Sequence, residues 1–233
     1  MELLRRALAV IACGLIAVSC SATGSPMAIT TTTVPAVPAV PAVKIGDAAV
    51  QVVANGCSTV EVHGAGLMVA PGRIATVAHV VAGAKDIEVR GAHGTSPATV
   101  VYFDPILDVA VLKVDPDLAP SIPIGAASPG DQGSVIVYRD DAPVELPAGI
   151  QRLVNIRTAD IYGEGKHVRP GYELTLDIRA GDSGAVVVIH DKAVALVWAT
   201  SRQADARAWA MRTSLIADHL GADKQVDNGD CAA

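Results

Sequence analysis

From Asp47 onward the chain is a succession of short, valine-rich segments of roughly alternating polarity, cut every few residues by Gly, Pro or Asp. Alternation with a period of two puts successive side chains on opposite faces of an extended backbone, so it fits half-buried strands and no amphipathic helix. Strands are expected near 50–53, 59–63, 66–69, 73–77, 87–90, 99–103, 109–114, 134–137, 153–157, 173–177, 185–189, 193–198 and 208–212. Turns separate them at Pro71-Gly72, 91–97, Pro129-Gly130 and Asp191-Lys192. Thr213 suits the N-cap of a closing helix through Leu220, before Gly221. The expected class is all-β with a short C-terminal helix.

Composition narrows the options further. Aromatics are 3% of the 233 residues while 51% are hydrophobic, so the core must come from Val, Ala, Leu and Ile, and β-branched side chains suit strands. A chain of this length buries one sizeable core or a two-lobed one. The formal charge of −6 gives no sign of nucleic-acid binding, and the basic cluster Lys166-His167-Val168-Arg169 reads as a solvated loop. No cysteine–histidine spacing suggests zinc, and neither a metal nor another cofactor is expected.

Ahead of this region, Arg5 and Arg6 precede an apolar run from Ala7 to Val18 that is too short to span a bilayer as a stable helix. Residues 1–20 therefore read as an export signal. Ala17-Val18-Ser19-Cys20 is similar to a bacterial lipobox, in which Cys20 would become the lipidated first residue; cleavage nearby, for example after Ala22, would instead give a secreted protein. Residues 21–45 are a low-complexity linker, with threonine at 30–33 and Pro-Ala-Val three times from Pro35 to Val43. Proline at every third position favours an extended polyproline II spacer with no apolar face to bury. The expected location is the cell envelope, at the outer face of the plasma membrane through Cys20, with the folded domain at 46–233.

Three motifs carry chemistry: Thr76-Val77-Ala78-His79-Val80-Val81, the stretch from Asp104 through Asp108 to Leu112, and Ala180-Gly181-Asp182-Ser183-Gly184-Ala185. A serine hydroxyl barely ionises at neutral pH, so it attacks a carbonyl only when an imidazole takes its proton and a buried carboxylate orients that imidazole. Taken singly, each motif is ordinary: a core histidine, an aspartate opening a strand, a glycine-rich turn. In the order His, Asp, Ser, each beside a β-rich segment, they resemble the chymotrypsin-like serine proteases and, within them, the compact bacterial HtrA-like branch, over about residues 53–220.

That resemblance implies two six-stranded antiparallel β-barrels, with His79 and Asp108 in the first, Ser183 in the second and the site in the cleft between. It implies Ser183 as nucleophile, His79 as general base and then acid, Asp108 as orienting carboxylate, and the N–H groups of Gly181 and Ser183 as an oxyanion hole. Aiming two N–H groups at one oxygen is easiest where a residue lacks a side chain. The implied function is an exported serine endopeptidase that cleaves protein or peptide substrates through an acyl-enzyme. Chain length leaves no room for a PDZ module after Leu220, so peptide-sensing regulation of that kind is not expected.

With Cys13 and Cys20 in the export signal, Cys57 and Cys231 remain for the domain, and an oxidising compartment permits a bridge between them. Cross-linking a loop of about 175 residues stabilises by roughly 5 kcal/mol on the chain-entropy model. A similar end-to-end bridge occurs in the actinobacterial membrane-anchored serine proteases linked to acid resistance, which this domain resembles.

Two positions depart from the family pattern. Ala185 stands where Gly is common, and Asp182 stands where the HtrA-like branch usually has Asn. In activated chymotrypsin-like enzymes the residue at Asp182 pairs with a freed N-terminal amine. A buried unpaired carboxylate would cost several kcal/mol, so an internal arginine is expected to replace that amine, with Arg152, Arg157 and Arg179 as candidates. Asp177 lies six residues before Ser183, where trypsin-like enzymes place the acid that reads basic side chains. Its other reading is a strand-end carboxylate in solvent.

Two rival functions complete the set. Ser183, Asp205 and His219 also run in α/β-hydrolase order, but Ala185 breaks the Gly-x-Ser-x-Gly elbow and no βα alternation surrounds it. A catalytically silent surface lipoprotein using the same scaffold for binding is the other, since fold does not fix function.

Overall fold

The computed structural model describes residues 43–57, 60–139, 141–201 and 206–232. The export signal, Cys20, nearly all of the linker and Asp205 lie outside them. The chain enters a short helix, α1 (Ile45–Ala48), and then seven strands: β1 (Ala49–Asn55), β2 (Val62–Ala70), β3 (Arg73–Thr76), β4 (Asp86–Gly91), β5 (Gly94–Pro97), β6 (Thr99–Asp104) and β7 (Val109–Lys113). They form one antiparallel sheet in the order β5-β4-β1-β2-β3-β7-β6. β1 is buried along six of its seven residues because it is hydrogen-bonded on both edges, to β2 and to β4.

Six further strands close on themselves: β8 (Gln132–Arg139), β9 (Ala142–Thr158), β10 (His167–Thr175), β11 (Val186–Ile189), β12 (Lys192–Thr200) and β13 (Arg207–Arg212), in the order β10-β13-β12-β11-β8-β9. Two cores of mostly Val, Ala, Leu and Ile form, one around Val50, Leu67, Ile74 and Leu112 that also takes in Ile136, Val186 and Leu196 of the second sheet, the other around Val135, Ile150, Leu174 and Val194. Closure of the second sheet leaves it no free edge. The architecture is the expected double β-barrel, with the first sheet open and seven-stranded rather than a six-stranded ring.

Particular elements differ from expectation for local reasons. Residues 94–97 form β5, paired to β4 across Gly91 and Gly94, instead of remaining a turn. β9 is far longer than 153–157, because it bends past Gly149 to serve two neighbours, β8 with its first half and β10 with its second. Its Pro143, Pro147 and Gly149 break the alternation that marks a strand in sequence. The β11–β12 hairpin turns on His190 and Asp191, both left-handed at φ 49° and 56°, as a primed two-residue turn requires. Residues 167–169 belong to β10 and Arg169 is fully buried, so of the basic cluster only Lys166 lies in an exposed loop.

The closing segment is a 3-10 helix, Thr213–His219. Thr213 does not cap it; its hydroxyl donates to the Ala193 carbonyl at 2.7 Å. Beyond it the chain returns to the first barrel. Leu220 O accepts from Arg73 Nε, Asp223 bridges Arg73 and Lys113, and Val226 N donates to Val100 O. A disulfide then joins Cys231 to Cys57, their Cα atoms 5.5 Å apart. At the other end, Val43 and Ile45 already pack on the first core.

Candidate active site

His79, expected as the base, lies on a single helical turn, α2 (Ala78–Val81), whose Ala78, Val80 and Val81 are buried and leave it the partly exposed residue. The far end of that turn is held from the C-terminal segment: Asn228 Nδ2 donates to Val81 O at 2.7 Å and to Ala84 O at 3.0 Å. Asp108 is set by a local device. Asp104 Oδ1 accepts from the Ile106 and Leu107 N–H groups at 2.9 and 2.8 Å, an Asx turn that a strand followed by Asp-Pro favours. The chain leaves this turn at Asp108 with φ 57°, a left-handed conformation that Asp tolerates better than most residues.

Buried at that corner, the Asp108 carboxylate engages His79 twice. Its Oδ1 accepts the His79 backbone N–H at 2.9 Å, and its Oδ2 lies 2.9 Å from Nδ1. Pairing with a carboxylate assigns the ring proton to Nδ1 and leaves Nε2 with its lone pair, the tautomer a general base needs.

Ser183 reaches the same seam from the second barrel. Its carbonyl accepts the Ala65 N–H of β2 at 2.8 Å. A side chain placed on Gly64 would meet both Val80, at 2.7 Å, and the Ser183 carbonyl, at 3.1 Å, so the His79 helix and the serine turn flank one point of β2. Gly184, at φ 87°, lies against the Ala65 carbonyl and Thr76 Oγ1 with no space for a Cβ. Among the described hydrogen bonds none joins Ser183 Oγ to His79 Nε2; such bonds are often long in a free enzyme and tighten with substrate.

The turn before the serine is held from beneath. Gly181 is left-handed at φ 93° and exposed, while Asp182 is wholly buried. The Asp182 carboxylate takes a bidentate pair from Arg139 at the end of β8, with Oδ2 at 2.6 Å from Nη2 and Oδ1 paired to Nη1. Oδ2 also accepts the Arg179 backbone N–H at 2.8 Å. Neither the Gly181 nor the Ser183 N–H is a donor in any described hydrogen bond, and none closes the turn from Ser183 N to Ala180 O.

The arginine expected for Asp182 is thus present, but its identity differs. Arg152 pairs instead with Glu173, Arg157 is exposed, and Arg179 contributes only its backbone. Arg139 lies 43 residues away in sequence, and only closure of the second barrel brings it to the turn. Asp177 is exposed past the end of β10.

Beside the pair lies a cleft of about 380 Å³ lined by His79, Asp108, Asp160, Arg169 and Trp198 among others. Arg169, read from sequence as part of a loop, is fully buried there. Its Nη1 lies 3.6 Å from Asp108 Oδ2, and its guanidinium sits 4.8 Å from the Trp198 ring centroid.

Residues 64–195 match the trypsin-like peptidase domain. The chain belongs to the trypsin-like peptidase family. It is 31% identical over 180 residues to the serine protease Rv3671c of Mycobacterium tuberculosis, a match covering 73% of this chain and 45% of that protein. The chain therefore spans less than half the length of that curated relative. Among solved structures, the active form of the Rv3671c protease superposes with a TM-score of 0.74 at 27% identity, covering 81% of this chain and 87% of that one. Its inactive form gives 0.64 at 26% identity, with 76% and 91% covered. An HtrA-type protease, AlgW, solved with a tripeptide, shares the fold at a TM-score of 0.63 and 20% identity, with 74% and 58% covered.

Proposed function

We propose that this family member is an exported serine endopeptidase, with Ser183 as nucleophile, His79 as general base and acid, and Asp108 as orienting carboxylate. The observation that carries the reading is the buried Asp108 carboxylate bonded to both the backbone and the ring of His79, on a helix that shares Gly64 as a neighbour with the serine turn. Ser183 Oγ attacks the substrate carbonyl as His79 Nε2 takes its proton. The developing oxyanion is received by the N–H groups of Gly181 and Ser183, and the imidazolium then protonates the leaving amine. Water, activated by the same imidazole, releases the acid product.

Peptides or proteins are the substrate class of the family. The exposure of Asp177 supports its reading as a solvated strand-end carboxylate, so no acidic pocket selects arginine. Cys20 is proposed as the lipidated residue and the cell envelope as the location. Labelling with palmitate that persists in Cys20→Ser would refute that anchor.

The deciding assay is fluorophosphonate labelling alongside cleavage of fluorogenic peptides bearing Arg, Leu or Ala before the scissile bond. Wild type is expected to label, Ser183→Ala to lose labelling and about 10⁶-fold in kcat, and Leu or Ala peptides to be cut at least as fast as Arg. No labelling of a folded wild type at neutral or mildly acidic pH would favour the silent binding module instead.

A further inference from the structure

Arg169 is the largest of the fully buried side chains, with a relative exposure of 1%. A guanidinium out of water needs both counter-charge and acceptors, and those around Arg169 come from both barrels. From the 104–108 turn of the first barrel, the Ile106 carbonyl accepts Nε at 2.6 Å and Asp108 Oδ2 lies 3.6 Å from Nη1. From the second barrel, the Ala159 carbonyl accepts Nη2 at 3.0 Å and the Trp198 ring lies 4.8 Å away on β12. The remaining charged groups acting on it are Asp104, on the same turn as Asp108, and Asp160, in the loop after β9. Both have structural duties, as acceptors for the 106–107 and the 162 and 164 N–H groups. Burial pulls the guanidinium below its usual range and the three carboxylates oppose that, yet an arginine so placed keeps its charge.

Asp108 Oδ2 therefore faces two partners at once, the imidazole N–H of His79 and the Arg169 cation. With Oδ1 tied to the His79 backbone N–H and Oδ2 held between the ring and a fixed guanidinium, the carboxylate cannot rotate without losing all three. We propose that Arg169 is a positioning residue of the catalytic centre, reaching from the second barrel to lock the rotamer of Asp108 and offset part of its charge, so that His79 is held as an aligned, neutral base. The inference rests on the triad reading above. Its electrostatic part has a definite sign: removing the cation leaves Asp108 with more uncompensated negative charge, which favours imidazolium and moves loss of the free base to higher pH.

The test uses the full chain and measures kcat and KM from about pH 5 to 9, with fluorophosphonate labelling in parallel. Arg169→Met is expected to lower kcat by about 10- to 100-fold with KM nearly unchanged, and to move the acid limb of kcat/KM upward by about one pH unit. Arg169→Lys, which keeps charge but loses the fork to Ile106 and Ala159, should return the acid limb most of the way to wild type. A folded Arg169→Met with wild-type kcat and acid limb would overturn the proposal, as would a loss confined to KM or a kcat loss with an unmoved limb. Should Arg169→Met fail to fold, Arg169→Lys is compared in the wild-type and Asp108→Asn backgrounds. A kcat loss of about fivefold that vanishes without the Asp108 charge supports coupling, and equal losses in both overturn it. A wild type that does not label overturns the triad reading itself; a labelling wild type with indifferent Arg169 variants overturns only this inference.

Discussion

The first barrel holds His79 and Asp108 as a mutual pair, each fixed by a turn of its own and by the other. The second barrel holds Ser183 differently, on a glycine-rich turn anchored from underneath by the ion pair between Asp182 and Arg139. His79 and Asp108 thus gain order from hydrogen bonds to each other and within the 104–108 turn, with Asn228 and Arg169 bracing them from later in the chain. The serine turn gains it from a cation delivered by barrel closure. A site divided in this way should respond unequally to damage on its two sides.

The comparison is broken most severely from the first barrel. Asp108→Asn keeps the shape of the pair but favours the wrong imidazole tautomer, and kcat is expected to fall about 10⁴-fold at neutral pH. A loss below tenfold would show that the pair does not orient the base. On the second side, Arg139→Met strands a buried carboxylate, which costs roughly 3–5 kcal/mol of stability. With the turn no longer anchored, the loss of an aligned oxyanion donor should lower kcat by about 10²- to 10³-fold. Chemical denaturation and labelling rates separate these effects, and unchanged labelling would mean that the turn keeps its shape unaided.

The smallest effect probes the seam itself. Tyr138 on β8 donates its hydroxyl to the Ala49 carbonyl of β1 at 3.0 Å, and burial pushes its pKa up to about 12. A folded-state value above the unfolded one near 10 means the neutral phenol stabilises the fold. That contribution is intact below about pH 10 and is lost as pH rises to about 12. Denaturation midpoints measured across this window should fall more steeply for wild type than for Tyr138→Phe; identical slopes would remove Tyr138 from the interface.

How much was legible in sequence follows the same division. Strands such as Val109–Lys113 and Val186–Ile189 announce themselves by unbroken valine-rich runs between turn residues. β9 does not, because prolines and a glycine interrupt it while its hydrogen bonds to two neighbours carry it through. The pairing of His79 with Asp108 follows motifs that have a local reason, an apolar turn around the one and an Asp-Pro turn before the other. Arg139 and Arg169 were not legible, since a single arginine in a strand carries no mark of what it will meet. The need for a cation under Asp182 could be argued from the cost of a buried charge, but choosing among arginines required knowing which strand ends meet. For Arg169, its polar neighbours in sequence suggested solvent, whereas its partners at Ile106 and Ala159 lie 63 and 10 residues away.

The segment after the 3-10 helix has a consequence for how the molecule can be dissected. Asn228 grips the end of the helix that bears His79, and Cys231 is fastened beside it through Cys57. The setting of His79 therefore depends on the segment that follows the 3-10 helix. A chain trimmed at residue 220 would carry His79, Asp108 and Ser183 and still lack the brace beneath the His79 helix.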